Sequence, residues 1–427
     1  MMAERAAPIG YGELISGNRN FRYLWFGQIV SLLGDWFNLI ASASLVAMLT
    51  QSGFAVGGLF VVRMLAPFLV SPIAGVVADR YNRRHILIIT DVLRALTVLG
   101  FLLVREAGHV WLLYALTAIQ LGISGFFFPT RNAILPDLVP ARGIGAANAI
   151  SSATWSVMLA LGAAIGGLVS GYWGIYPAFV IDGLTFLLSA LLIAQIRLDV
   201  KPALDPADKT IRASLRQYLD GLRYLREHTN TLVIAFHKAA IALIMFSGFQ
   251  VVQVAISEDV FVIGIGGGIS LGLMFGINGV GTGIGPILAR RLTGDRDRSL
   301  RVAILIGYLI GALGLAITGS LINFGTVLFG TLLRGVGGGI IWVFSTQLLL
   351  QLVPGHIRGR IFASEFAIFT LASAVGASLA GALLDSSLGM SGLIWWMAGL
   401  SLIPAALWAL WLSKGKSTGF APEDASI

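Results

Sequence analysis

Asp35 lies on a polar stripe: Gln28, Ser31, Asp35, Asn38 and Ser42 step by three and four through an otherwise apolar run, which places them on one helix face. A carboxylate so placed can take up and release a proton, provided that apolar burial and any nearby cation balance closely enough to let it titrate. Arg63, in the next apolar run, is such a cation. Asp35 and Arg63 are the candidates for proton coupling, with a structural ion pair tying two helices as the alternative. The same spacing recurs in Thr117, Gln120 and Ser124, in Ser247, Gln250, Gln253 and Ser257, and in Thr331, Arg334 and Gly338. Arg334 could hold an anionic group or pair with a carboxylate.

Other chemistries find no foothold. The chain has no cysteine, so thiolate metal sites, disulfides and a cysteine nucleophile are excluded. Its five histidines are scattered rather than spaced as metal ligands. The runs Gly264-Ile-Gly-Gly-Gly-Ile and Gly281-Thr-Gly-Ile-Gly resemble phosphate-binding loops only by letter, because no strand precedes them. Close helix packing in lipid is the better reading of these glycines, and of Gly162, Gly166, Gly167, Gly376 and Gly381. No metal, no cofactor and no enzymatic activity are expected.

The elements that must position these residues follow from composition. Of 427 residues, 56% are hydrophobic and 12% charged, about half the charge a water-soluble domain carries. Apolar runs fall near 21–47, 54–78, 86–104, 110–130, 149–170, 176–196, 231–256, 268–289, 301–320, 325–351, 361–384 and 391–412. Each is long enough for a membrane helix, which needs about 20 residues. The expected fold is an all-α membrane protein with twelve transmembrane helices in two pseudo-symmetric six-helix halves. The first run is too long for a secretory signal and is expected to stay as the first helix.

If both termini share one side, 24 of the 29 basic residues fall on that side, and only Arg105 on the other. The bias makes termini and even-numbered loops cytoplasmic. Insertion topology thus accounts for the net charge of +8, and no nucleic-acid partner is needed. Counted from the cytoplasmic ends, Asp35 lies ~20 Å and Arg63 ~24 Å deep at 1.5 Å per residue. Asp182, Lys238, Asn278, Glu365 and Asp385 are read as lying at or nearer span ends. The segment 197–230 separates 1–196 from 231–427, and its Leu215, Tyr218, Leu219, Leu222 and Leu225 predict an amphipathic helix on the membrane face.

A shift of 214 residues lays Leu135-Pro-Asp-Leu-Val-Pro140 on Leu349-Leu-Gln-Leu-Val-Pro354, and Thr117 with Gln120 on Thr331 with Arg334. Two parallel halves of this kind are a transporter architecture, with the substrate between them near mid-membrane.

Between the second and third runs stands Gly75-Val-Val-Ala-Asp79-Arg80-Tyr-Asn-Arg83-Arg84. This loop resembles the signature G-x-x-x-D-R-x-x-R-R of the major facilitator superfamily, in spacing, place and topology. Through Gly34-Asp35, Arg63 with Pro67, Asp91-x-x-Arg94 and Arg131-Asn-Ala-x-Leu-Pro136, the chain looks most like the branch of macrolide-efflux proteins and the enterobactin exporter, drug:proton antiporters. The resemblance covers nearly the whole chain. Two places depart from it: the second-half loop Ala289 to Arg298 loses the signature glycine and aspartate positions, and Ala163 stands where exporters of the family often carry proline.

The resemblance implies that helices one, four, seven and ten line the cavity, which makes Gln28, Asn38, Gln120, Ser124, Gln250, Gln253, Thr331 and Arg334 the substrate-cavity candidates. It makes Gly75, Asp79, Arg80, Arg83, Arg84 and Asp91 a cytoplasmic gate, in which Arg83 pairs with Asp91 or Asp137. The implied activity is export of an amphiphilic small molecule, such as a drug or siderophore, by proton-coupled antiport and alternating access. A lysolipid or lipid flippase, or an importer on the same fold, is the alternative. The expected setting is a bacterial inner membrane, with membrane lipid, a small-molecule substrate and the proton gradient as partners, and a monomeric state.

Overall fold

The computed structural model describes residues 9–197, 223–294 and 296–413. Twelve of its helices are long and apolar enough to cross a membrane, and no strand occurs among the described residues. Spans 1 to 6 are Arg19–Thr50, Gly53–Arg80, Arg83–Leu103, Val110–Leu138, Ile144–Trp173 and Ile175–Ala194. Spans 7 to 12 are Thr229–Val260, Ile265–Thr293, Asp297–Gly319, Phe324–Leu352, Gly355–Leu384 and Gly389–Ser413. Starts are fixed by side chains that accept from free backbone N–H groups: Asn18 from Phe21, Ser52 from Ala55, Asn82 from His85 and Asn323 from Thr326. Leu96, Leu191 and Leu407 are exposed, an arrangement that lipid accepts and water penalises. The fold is an all-α membrane protein with the architecture expected.

Internal contacts divide the chain into two units, Met1–Leu215 with Val254–Gly276, and Arg216–Gln253 with Ile277–Ile427. The end of span 7 and the start of span 8 thus group with the first unit. Small residues permit this: a Cβ on Gly167 would meet the Gly272 backbone at 2.5 Å, and Ser44 Oγ donates to the Gly266 carbonyl at 3.1 Å. Within the first unit, spans 1 and 3 pack on span 6 and span 3 packs on span 4; within the second, span 9 packs on spans 10 and 12. The repeat is visible in element bounds, since 214 residues separate Val110–Leu138 from Phe324–Leu352 at both ends.

Two expectations change. Span 4 does not end near residue 130 but runs to Leu138 through Pro129 and Pro136, although each ring removes a backbone hydrogen bond and crowds the preceding turn, a cost that membrane helices tolerate where neighbouring groups re-satisfy the backbone. Arg131 is therefore a helix residue and is buried, not a loop residue. Spans 5 and 7 also carry wide turns that periodicity does not announce, Met158–Gly162, Ala242–Phe246 and Ile256–Val260. Most of 197–230, including Ser214 to Leu222 of the expected amphipathic helix, lies outside the described residues, and 223–227 is helical.

Candidate functional site

In the first unit the polar stripe of span 1 meets span 3 through one guanidinium. Arg94 donates to Asp35 Oδ1 at 2.7 Å, to Asp91 Oδ1 at 3.1 Å and to Ser31 Oγ at 3.2 Å. Its plane lies 3.8 Å from the Phe186 ring centroid, with Phe127 at 5.5 Å, so the cation is held by charge on one side and by ring quadrupoles on the other. The two carboxylates differ in access, since the Asp35 side chain is 30% exposed and that of Asp91 is fully buried.

This cluster corrects two sequence assignments. The ion-pair partner of Asp35 is Arg94 of span 3, not Arg63 of span 2, for which the described residues provide no hydrogen bond or ion pair. Arg63 acts on Asp35 only through space and does not bond it, because span 1 packs chiefly on span 6 and only lightly on span 2. Asp91 is not part of a surface gate: it lies eight residues into its helix from Arg83, about 12 Å at 1.5 Å per residue, and faces Arg94 one turn on. Arg94 was missed as a site residue, although an acid and a base at i and i+3 inside an apolar run were readable.

Asp182 was also misplaced. It is the eighth of 20 residues in span 6 and fully buried, not near an end. With Thr185 and Ser189 at three and seven it forms a stripe that periodicity could have found. Its backbone carbonyl accepts from Thr185 Oγ1 at 2.7 Å. A Cβ at Gly34 would collide with Thr185 Oγ1 and Asp182 Oδ1, so glycine is required where span 6 meets span 1 beside Asp35.

Toward the ends of spans 2, 3, 4 and 6, Arg83 donates to Asp137 Oδ2 at 2.7 Å and to the carbonyls of Ala133 at 3.1 Å and Ala78 at 3.3 Å. Asp137 is thus a carboxylate that Arg83 pairs with. Arg84 Nη2 donates to the Ala194 carbonyl at the end of span 6, 2.6 Å away, where a cation offsets the exposed carbonyl dipoles. Asp79 and Arg80 lie in the last turn of the helix Gly53–Arg80, with Gly75 one turn earlier; the side chains of Asp79 and Arg80 lie outside what the structure describes. Deeper in the same unit, Arg131 donates to Gln28 Oε1 and to Ser151 Oγ, which ties Gln28 to the scaffold.

Several of the remaining stripe residues hold buried polar atoms that form no hydrogen bond. Thr117 Oγ1, Gln120 Oε1, Ser124 Oγ and Asn38 Nδ2 have no hydrogen-bond partner in the first unit, nor do Ser247 Oγ, Gln250 Oε1, both amide atoms of Gln253 and Thr331 Oγ1 in the second, among the described residues. Buried polar atoms are normally satisfied, and these stay open among the described residues. Arg334 is the exception: it donates to the Met245 carbonyl at 2.5 Å and to Asn278 Oδ1, and lies 4.3 Å from the Phe249 ring centroid. Met245 belongs to the wide turn of span 7, so Arg334 bonds a carbonyl of that turn, and among the described residues its hydrogen-bond partners include no carboxylate. Lys238 and Glu365, expected near span ends, form a buried ion pair at 2.9 Å, with Trp342 4.6 Å from the ammonium. Among the described residues no group of three or more His, Asp or Glu is arranged to hold a metal.

Comparison with known proteins adds a family. The family model of the Major Facilitator Superfamily matches residues 24–364 and, in a second match, 240–426. The uncharacterized MFS-type transporter YfiS of Bacillus subtilis is 28% identical over 383 residues, 87% of this chain and 88% of that protein. Macrolide efflux protein A of Streptococcus pyogenes is 24% identical over 217 residues, 49% of this chain and 51% of that protein. Among solved structures, the nucleoside transporter NupG is similar at a TM-score of 0.72 and 14% identity, covering 92% of this chain and 99% of that one.

Proposed function

The chain belongs to the Major Facilitator Superfamily, and from that premise we propose that it is a secondary transporter exporting an amphiphilic small molecule across a bacterial cytoplasmic membrane, by alternating access, in exchange for entering protons. The direction is supported by an efflux protein among its relatives. Both termini on the cytoplasmic side fit the distribution of basic residues.

The observation that carries the reading is the Asp35–Arg94–Asp91 arrangement. Asp35 is partly exposed and shares its cation with a buried carboxylate. A proton arriving on Asp35 discharges one ion pair without stranding the guanidinium, because Arg94 keeps Asp91 and Ser31. A buried cation left alone would cost far more. The attraction between spans 1 and 3 then depends on the proton, and each 1.4 kcal/mol of such a difference shifts a two-state ratio about tenfold. The unpartnered faces of spans 4, 7 and 10, with Gln120, Ser124, Gln250, Gln253 and Thr331, are the proposed substrate contacts. Such polar groups orient a ligand in a largely apolar surround. The proton gradient is the energy source and no cofactor takes part.

The test is a substrate screen in energised inverted vesicles with an internal pH reporter. Export predicts uphill substrate accumulation in the vesicles accompanied by proton efflux, both abolished by a protonophore. Accumulation that survives collapse of the pH gradient would overturn proton coupling.

A further inference from the structure

Span 6 carries a carboxylate that the coupling scheme above does not use. Both Asp182 oxygens are closed to solvent and neither accepts a well-formed hydrogen bond among the described residues; the polar side chain beside them is the neutral amide of Asn38 on span 1. Asp35 and Asp91, in contrast, each touch Arg94. The nearest hydroxyl, that of Thr185, is spent on the Asp182 backbone carbonyl, and Gly34 presents only backbone to the carboxyl group. An ionised carboxylate sealed among such neighbours is expensive, and a protonated one is not.

The surrounding charges sharpen the point. Span 1 presents Asp35 to this region, and span 3 presents Asp91 and Arg94. Asp35 and Arg94 act on Asp182 through space, and Arg63 of span 2 acts more weakly on Asp182 and also on Asp35. The part of span 5 packed on span 6, Ala163–Trp173, contributes no charged group. Three carboxylates therefore share one directly bonded guanidinium, and that guanidinium is already engaged by two of them. Gly34 is the residue before Asp35, so its missing side chain brings Asp182 next to the backbone that carries the coupling carboxylate.

We propose that Asp182 is a proton-binding site of this cluster, holding a proton in the arrangement seen here and exchanging it with Asp35. In that exchange the O–H bond on Asp182 breaks and an O–H bond forms on Asp35. Arg94 is thereby freed from Asp35 to neutralise Asp182, and the net charge of the cluster is unchanged. The inference rests on the coupling role given to Asp35. It assigns the buried proton to span 6, whose Asp182, Thr185 and Ser189 stripe then becomes a coupling element.

Infrared difference spectroscopy of the purified full-length protein across an alkaline pH step tests this, in sodium-free buffer and with ¹³C-labelled aspartate. The wild type should show a protonated aspartyl C=O band that shifts with the label and is lost at high pH. The band should disappear in Asp182→Asn, which imitates the neutral acid and should keep the wild-type thermal midpoint, and should persist in Asp35→Asn and Asp91→Asn. Should Asp182→Asn fail to fold, Asp182→Glu keeps the test decisive, because the acid is retained while the band that shifts with labelled aspartate must be lost. Absence of the band in the wild type, its survival in Asp182→Asn, or its loss on adding sodium at constant pH would overturn the proposal, the last by making the cluster a metal-cation site. Transport is read separately. A band assigned to Asp182 together with transport indifferent to the pH gradient leaves the proton site standing and removes the coupling, whereas coupled transport without the band does the reverse.

Discussion

Arg94 bears the largest load of any residue described, because two carboxylates depend on it. Arg94→Gln would leave Asp91 buried and unpaired, and should cost about 3–5 kcal/mol, the usual penalty for breaking a buried ion pair. The thermal midpoint in detergent should fall sharply, and adding Asp91→Asn should restore part of it; an unchanged midpoint in the single variant would contradict the assignment. Arg334 makes a different prediction. Its guanidinium is committed to the Met245 carbonyl and Asn278, so Arg334→Gln should destabilise by about 1–3 kcal/mol, the cost of an orphaned buried acceptor. Transport of anionic, neutral and cationic substrates should then fall alike, and a selective loss of anions would instead assign Arg334 to the substrate. At this scale the sequence was legible where a residue's role depends on its own helix, as with the stripe through Asp35. It failed where the partner lies on another helix, because depth in the membrane ranks Arg63 and Arg94 alike and only packing separates them.

At the scale of elements, close helix approach rests on particular glycines. Gly272 and Gly167 face each other backbone to backbone, whereas Gly283 has nothing within 4 Å of where a Cβ would stand. Gly272→Val should therefore force spans 5 and 8 apart at a cost of about 1–3 kcal/mol or more, whereas Gly283→Ala should leave the thermal midpoint unchanged or raise it, alanine being the better helix former. Equal effects would contradict the packing described. All twelve spans were readable from apolar runs, since lipid forces their length. Their ends were less so: span 4 continues through two prolines, and the wide turns of spans 5 and 7 arise from packing that no periodicity encodes. The capping side chains Asn18, Ser52, Asn82 and Asn323 set four helix starts, a signal that apolar runs alone do not use.

For the whole molecule, the duplication was present in the sequence, and the matching bounds of spans 4 and 10 are its structural counterpart. The grouping of Val254–Gly276 with the first unit was not, because it depends on contacts between residues more than a hundred positions apart. In the proposed mechanism, function at this scale depends on one carboxylate that is partly exposed yet paired. Asp35→Asn retains the shape of the side chain and removes its charge, so Arg94 stays bonded to Asp91 and the fold should persist. The decisive measurement is substrate transport by wild type and Asp35→Asn in the same inverted vesicles, with internal pH followed throughout. Proton coupling through Asp35 predicts that the variant loses uphill accumulation and substrate-driven proton movement but still equilibrates substrate down its gradient; full uphill transport by Asp35→Asn would contradict it.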